Sequence, residues 1–268
     1  MKLPTYNAQK QKLHEVELPS QFKEEYRPDL IRRAVHALQS AARQLYGNYA
    51  EAGFRGSTKV SKRRRDYRGC YGFGVSRVNR KILSRRGMRM NWVGSFSPQT
   101  VGGRRSHPPQ ADKQLEKLIN KKENRKAIRS AMAATVSKDL VAHRGHQIPS
   151  EYPFIVDGSF ENISKTKEFE SALETLGFGG ELERSLIKKV RPGIGTRRGR
   201  RYHRKKGLLV VVSGDCPLIK AAQNVAGLDI VRAQELNANL LAPGASAGRV
   251  TIWSEKAIEL IKKEGLFI

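Results

Sequence analysis

Apolar positions recur with different periods in the two halves of this chain. After Pro28, residues Leu30, Ile31, Ala34, Leu38, Ala41 and Leu45 return at helical spacing, predicting a helix over 28–44 that Gly47 stops. A second helix is predicted over about 111–142, with Leu115, Leu118, Ile119, Ala127, Ile128, Ala131, Met132 and Val136 on one side and Arg144-Gly145 marking its end. From Phe154 onward short β-branched runs alternate with helical patterns. Phe154-Ile155-Val156 precedes a helix over 165–176, and 208–213 precedes one over 217–225. A run at 228–231 precedes a short helical piece near 235–241, and 250–253 precedes 254–263, with Ser254 as the expected N-cap. That alternation predicts an α/β fold with a parallel sheet covered by helices.

Between the two early helices, residues 53–110 hold nine glycines and the pair Pro108-Pro109, with almost no apolar run. Connections inside compact domains usually take about 4–6 residues, so one this long is either functional or disordered. Half of it, extended at roughly 3.3 Å per residue, reaches up to about 95 Å. The expected organisation is a globular α/β domain made of 1–52 and 111–268, from which 53–110 extends as a long irregular basic internal loop.

Charge sharpens this picture. Residues 53–110 carry fifteen Lys and Arg against Asp66 alone, and 184–206 carry eleven against no acid, so these two stretches supply 25 of the formal net charge of +26. Cations concentrated in glycine-rich segments repel one another unless a polyanion relieves them, which makes nucleic acid the first candidate partner. The aromatics Tyr67, Tyr71, Phe73, Trp92 and Phe96, interleaved with arginines, suit stacking on unpaired bases. In 191–207 the arginines offer bidentate donors to phosphates, and a polybasic targeting signal is the competing reading. The loop alone is expected to stay mobile until RNA orders it, because it has too little apolar surface to offset its ordering entropy.

Other chemistries find little support. Cys70 and Cys216 are isolated, which argues against a disulfide framework or a Cys-based zinc site, and no metal or cofactor is expected. The N-terminal residues lack the apolar core of a signal peptide, and the longest apolar run, 208–212, is far short of a membrane span, so a cytoplasmic, non-membrane protein is expected. The catalytic patterns GxxxxGK[ST], HExxH and GxGxxG are absent. His143 and His146 stand three apart at a helix end, where a protonated imidazole favoured by the helix dipole is the plainer reading than a metal ligand or an acid/base pair. Gly69-Cys-Tyr-Gly-Phe-Gly74 resembles a phosphate loop in composition only, since its flanks predict neither strand nor helix.

Three segments together carry a resemblance: RPGIGTRRGRRYHRKKGLLVVVSGD (191–215), GGRRSHPP (102–109) before a long helix, and LAPGASAGRVTIWSEKAI (241–258). In this order they resemble the archaeal and eukaryotic branch of the family of ribosomal protein four of the large subunit, and the absence of a long C-terminal extension is most like the archaeal form. The resemblance covers nearly the whole chain. It implies a non-enzymatic structural constituent of the cytoplasmic large subunit, whose internal loop threads large-subunit rRNA and helps shape the polypeptide exit tunnel. The implied rRNA contacts are Arg55, Lys62, Arg63, Arg64, Arg65, Arg68, Arg77, Arg80, Arg85, Arg86, Arg89, Arg104, Arg105 and His107 in the loop, with Arg191, Arg197, Arg198, Arg200, Arg201, Arg204 and Lys205 in the second segment. The implied tunnel-proximal stretch contains Arg68, Gly69, Tyr71, Gly72, Phe73, Gly74 and Arg77. Implied partners are large-subunit rRNA, neighbouring large-subunit ribosomal proteins and the nascent polypeptide. The rival readings are an RNA-modifying or RNA-cleaving α/β enzyme, which needs a pocket or acid/base pair at the sheet's C-terminal edge, and a free-standing nucleic-acid chaperone.

Overall fold

A computed structural model of the protein describes residues 1–87 and 89–268. In chain order the elements are β1 (Lys2–Tyr6), β2 (Lys12–Glu17), α1 (Pro28–Ala41), β3 (Arg80–Arg86), β4 (Arg89–Gly94), α2 (Lys121–Val136), α3 (Lys138–His143), β5 (Ile155–Val156), α4 (Thr166–Thr175), α5 (Gly179–Leu186), β6 (Lys188–Val190), β7 (Tyr202–Arg204), β8 (Leu209–Val212), α6 (Pro217–Ala222), β9 (Asp229–Arg232), α7 (Ala238–Leu241), β10 (Thr251–Ser254) and α8 (Glu255–Glu264). They fall into two units, Met1–Ala42 with Glu116–Ile268, and Arg43–Leu115.

The first unit is built on a six-stranded sheet in the order β2-β1-β5-β10-β8-β9. Every neighbouring pair is parallel except β1 with β2, so the sheet is mixed where a parallel one was expected. Both early strands escape sequence patterning. Pro4 interrupts β1 beside a register irregularity, the place a sheet tolerates proline, and β2 (KLHEVE) is a polar edge strand. The apolar run of β8 is buried on both faces. Leu209 and Val211 face one core with Ile31, Val35, Ile128, Met132, Trp253 and Ile258, drawn from α1, α2, β10 and α8. Val210 and Val212 face the other, with Val156, Phe169, Leu173 and Leu218 from β5, α4 and α6. Helices therefore cover both faces, as a largely parallel sheet requires.

The predicted helix over 111–142 is corrected. Residues before Lys121 are not helical, and Leu118, assigned to its apolar stripe, is 89% exposed: with no surface to bury it, the spacing alone does not hold a helix. The remainder breaks into α2 and α3 at Ser137, which adopts an extended backbone. Likewise α1 ends at Ala41, and Leu45 is exposed. Ser254 does occupy the N-cap position of α8, yet its hydroxyl makes no capping bond.

The second unit is less irregular than its composition suggests. β3 and β4 form an antiparallel hairpin from Arg80 opposite Gly94 to Arg86 opposite Arg89, and bridges join Lys59 to Arg80 and Ser61 to Gly69. Among its described residues only Gly69, Cys70 and Ser95 are buried. Hydrogen bonds and ring contacts, rather than an apolar core, hold it.

Candidate nucleic-acid interface

The basic segment in the second half folds as a hairpin. β6 and β7 pair antiparallel, with Lys188 opposite Arg204 and Val190 opposite Tyr202, and the connection is closed by hydrogen bonds from Arg191 N–H to Arg201 O (2.7 Å) and from Arg200 N–H to Gly195 O (2.9 Å). Lys188, Lys189, Arg197, Arg198, Arg200, Arg201, Arg204 and Lys205 are exposed, and Arg191 is half-buried. Among the described residues no carboxylate lies within ion-pair distance of any of these nine. The Lys188 Nζ sits 3.7 Å from the Tyr202 ring centroid, so the exposed ring already carries a cation. Sequence reasoning located the charge here but not the two strands, which are three residues each and show no apolar alternation.

The foot of this hairpin is anchored by a buried polar network. Glu181 accepts from Arg184 Nη2 at 2.6 Å, from Arg184 Nε at 2.8 Å and from the Gln147 N–H at 3.0 Å, while His146 Nδ1 lies 2.8 Å from Oε1, the oxygen Arg184 Nη2 also reaches. Arg184 Nη2 also donates to Lys206 O at 2.8 Å, tying the start of the basic segment to its end. Arg249, 1% exposed, donates to Gly207 O at 2.8 Å, Leu208 O at 3.2 Å and Asp229 at 2.6 Å. Gly227 closes the foot: a Cβ there would stand 2.7 Å from that of Ser185 and 2.9 Å from Lys205 O. Burial alone raises the Glu181 carboxyl, but the hydrogen bonds from Arg184, His146 and Gln147 outweigh it and hold the group at about 2. Burial likewise raises Asp229, and Arg249 and Lys206 overrule it. Desolvation holds His146 below its ordinary 6.5, so the protonated imidazole expected from the helix dipole is not what the structure favours there. His143 is exposed at the last turn of α3. Arg249 had one sequence signal, an arginine directly before the apolar strand VTIW.

In the second unit the predicted residues are spread over one framework. Arg63, Arg64, Arg65 and Arg68 belong to a tight turn in which Ser61 N–H donates to Arg68 O (3.1 Å) and Asp66, the segment's one acid, accepts from Ser61 and from Tyr67 N–H. Those bonds, the Ser61 hydroxyl first, lower the Asp66 carboxyl. Arg80, Arg85, Arg86 and Arg89 lie on the β3–β4 hairpin, and Arg104, Arg105 and His107 follow it. The aromatics behave differently from the expectation of free stacking platforms. Arg85 and Arg68 lie 5.0 and 5.4 Å from the Tyr67 centroid, Arg77 4.8 Å from Tyr71, Arg80 5.3 Å from Trp92 and Arg104 5.4 Å from Phe96. Phe73, 74% exposed between Gly72 and Gly74, has no such cation among the described residues.

The sheet's C-terminal edge, where an α/β enzyme binds its ligand, is occupied by internal contacts. Glu161 accepts from both the N–H and the hydroxyl of Ser213, each at 2.8 Å, and Arg232 pairs with Asp215. Among the described residues no group of three or more His, Cys, Asp or Glu is placed to hold a metal ion, and no helix is long and apolar enough to cross a membrane.

Comparison with known proteins covers the whole chain. A family model described as the ribosomal protein L4/L1 family matches residues 16–264. The large ribosomal subunit protein uL4 of Nanoarchaeum equitans is 48% identical over 268 residues, spanning 100% of both chains. Its counterpart in Methanoregula boonei is 45% identical over 94% of each chain, and that of Methanocaldococcus jannaschii is 41% identical over 98% of this chain and 99% of its own.

Proposed function

The chain belongs to the ribosomal protein L4/L1 family, and from that premise we propose that it is an archaeal-type, non-enzymatic structural constituent of the cytoplasmic large ribosomal subunit. It binds large-subunit rRNA through two basic surfaces, the β6–β7 hairpin and the unit Arg43–Leu115, and packs beside other large-subunit proteins. Residues 53–110 act as the rRNA-threading segment, and 68–77 approach the nascent polypeptide in the exit tunnel.

One observation carries this reading: nine neighbouring cations, Lys188 to Lys205, with no acid to pair them among the described residues, on a hairpin whose foot is fixed by buried ion pairs. An isolated two-stranded hairpin is marginal in water, and self-repulsion makes it worse, so the arrangement fits an RNA phosphate lattice as its missing partner. The guanidinium-capped rings of the second unit support the same use, since arginines held over rings keep outward N–H groups for phosphates. Sedimentation through a high-salt wash tests the proposal. The protein is expected to remain with large subunits and to protect defined rRNA nucleotides; its appearance in the free fraction without a footprint refutes it.

A further inference from the structure

Two cavities in the unit Arg43–Leu115 share a wall, and neither belongs to the hairpin surface. The first, about 730 Å³, is lined by Arg43, Tyr46, Arg105, His107, Pro108 and Lys113 among others. The second, also about 730 Å³, lies across Arg105 and Pro108-Pro109, with Tyr49, Phe54, Phe96 and Arg104 on its far side. The outgoing and returning legs of the unit meet beside them, because Asn48 N–H donates to Pro109 O at 2.8 Å and Gly47 has no side chain: a Cβ there would stand 2.7 Å from the Ala111 nitrogen. The walls are therefore set by backbone, not by long side chains alone.

The lining has one chemistry. Arg43, Arg105 and Lys113 bring three cations to the first cavity, and Arg104 and Arg105 bring two to the second, with Asp112 as the one acid lining each. Each cavity also holds an exposed ring. Tyr46 is 64% exposed with no ring or cation contact among the described residues, and Tyr49 is 56% exposed with Arg55 5.3 Å from its centroid. Phe54 and Phe96 meet edge to face at 4.7 Å, with Arg104 5.4 Å from the Phe96 centroid, and together form a rigid apolar wall. Volumes of this size take ligand-sized groups, and alternating cations and rings around prolines are the means by which proteins hold unpaired bases.

We propose that these cavities receive two successive unpaired nucleotides of an RNA strand, one base against Tyr46 and the next against the Tyr49, Phe54 and Phe96 rings, with Arg105 on the phosphate between them. The proposal rests on the RNA-binding reading above but names a site and a strand state that reading leaves open. A double helix does not fit, since its bases are stacked away from both rings.

The test uses the full chain with a short single-stranded RNA carrying 4-thiouridine, and with the same RNA annealed to its complement. Tyr46→Ala is expected to weaken single-strand binding about 5- to 100-fold, to change duplex binding by less than about 2-fold and to be rescued by Tyr46→Phe, as stacking requires. Irradiation of the wild type is expected to link the RNA to peptides containing Tyr46, Tyr49 or His107. Equal binding of the single strand by wild type and Tyr46→Ala overturns the proposal, as does an equal loss on both RNAs or a cross-link elsewhere. Failure of the wild-type chain to bind either RNA strikes the RNA-binding reading itself, and Arg197→Ala with Arg198→Ala separates the two, since that variant loses affinity for both RNAs and keeps the cross-link site.

Discussion

Glu181 and His146, both fully buried and 35 residues apart in sequence, meet with Nδ1 of the imidazole 2.8 Å from a carboxylate oxygen. The pair stands at the root of the basic hairpin rather than on its surface. Because Arg184 bridges Glu181 to Lys206 O, the carboxylate connects the framework of α5 to the basic segment.

Glu181→Gln is expected to destabilise the protein by about 3 kcal/mol, since it leaves a buried guanidinium without its counter-charge. Thermal or urea unfolding measures this. A drop no larger than that of an exposed control such as Glu170→Gln refutes the anchoring role.

Acid should loosen the same anchor. The folded-state Glu181 carboxyl lies at about 2, below the roughly 4.3 of an unfolded glutamate, so its contribution is full above that value and lost as pH falls toward 2. His146, held below 6.5, adds in the same direction, because protonation on acidification favours the unfolded chain. Wild-type stability should therefore fall below about pH 5 more steeply than that of Glu181→Gln. Parallel pH profiles below that value would remove Glu181 from the balance.

Replacing Arg197, Arg198, Arg200 and Arg201 together by Ala should flatten the salt dependence of rRNA binding. Each lost phosphate contact removes roughly 0.7–0.9 from the slope of log affinity against log salt, so a loss of about 2.8–3.6 is expected if all four reach phosphates. Filter binding at several salt concentrations reads it, and an unchanged slope takes the hairpin out of the interface.

In free protein, limited proteolysis should cut within 53–110 before it cuts the first unit. Among the described residues of Arg43–Leu115 only Gly69, Cys70 and Ser95 are buried, against two apolar cores flanking the sheet, so local opening there costs little. Added rRNA should slow that cleavage. Equal protection of both units without RNA contradicts the expectation.

Deleting 68–77 should leave incorporation into subunits largely intact while altering passage of stalling peptides, because most cations lie outside that stretch. Phe73, exposed and uncapped between two glycines, is the side chain whose loss alone should have the largest effect. Normal passage in the deletion would place the tunnel contact elsewhere.

Legibility in the sequence followed burial. The runs at 208–213 and 250–253 were readable because strands buried on both faces must be apolar throughout, and β8 and β10 appear there. The strands β1, β2, β6 and β7 were not, since an edge strand or an exposed hairpin needs no apolar alternation and Pro4 argues against the one it interrupts. The site's charge was plain from composition, yet Arg43, Tyr46 and Tyr49 fell outside the stretch that charge counting picks out. Arg249 is nearly as hard to read for a related reason: beyond its place directly before VTIW, a buried arginine looks like any other until its carbonyl and carboxylate partners are assembled around it.

The sheet register also dictates a timetable. Thr5 pairs with Ile155, 150 residues later, and Ile155 in turn pairs with Trp253, so the strand made first waits for nearly the last one before the sheet can close. Contacts this distant in sequence form slowly. By then the cationic unit Arg43–Leu115 has long left the ribosome that made it, and for that interval the newborn chain exposes its polycation with no finished core behind it. Production of this protein is thus a race between completing a fold and meeting the wrong polyanion, and the winner is set by how soon residue 253 emerges.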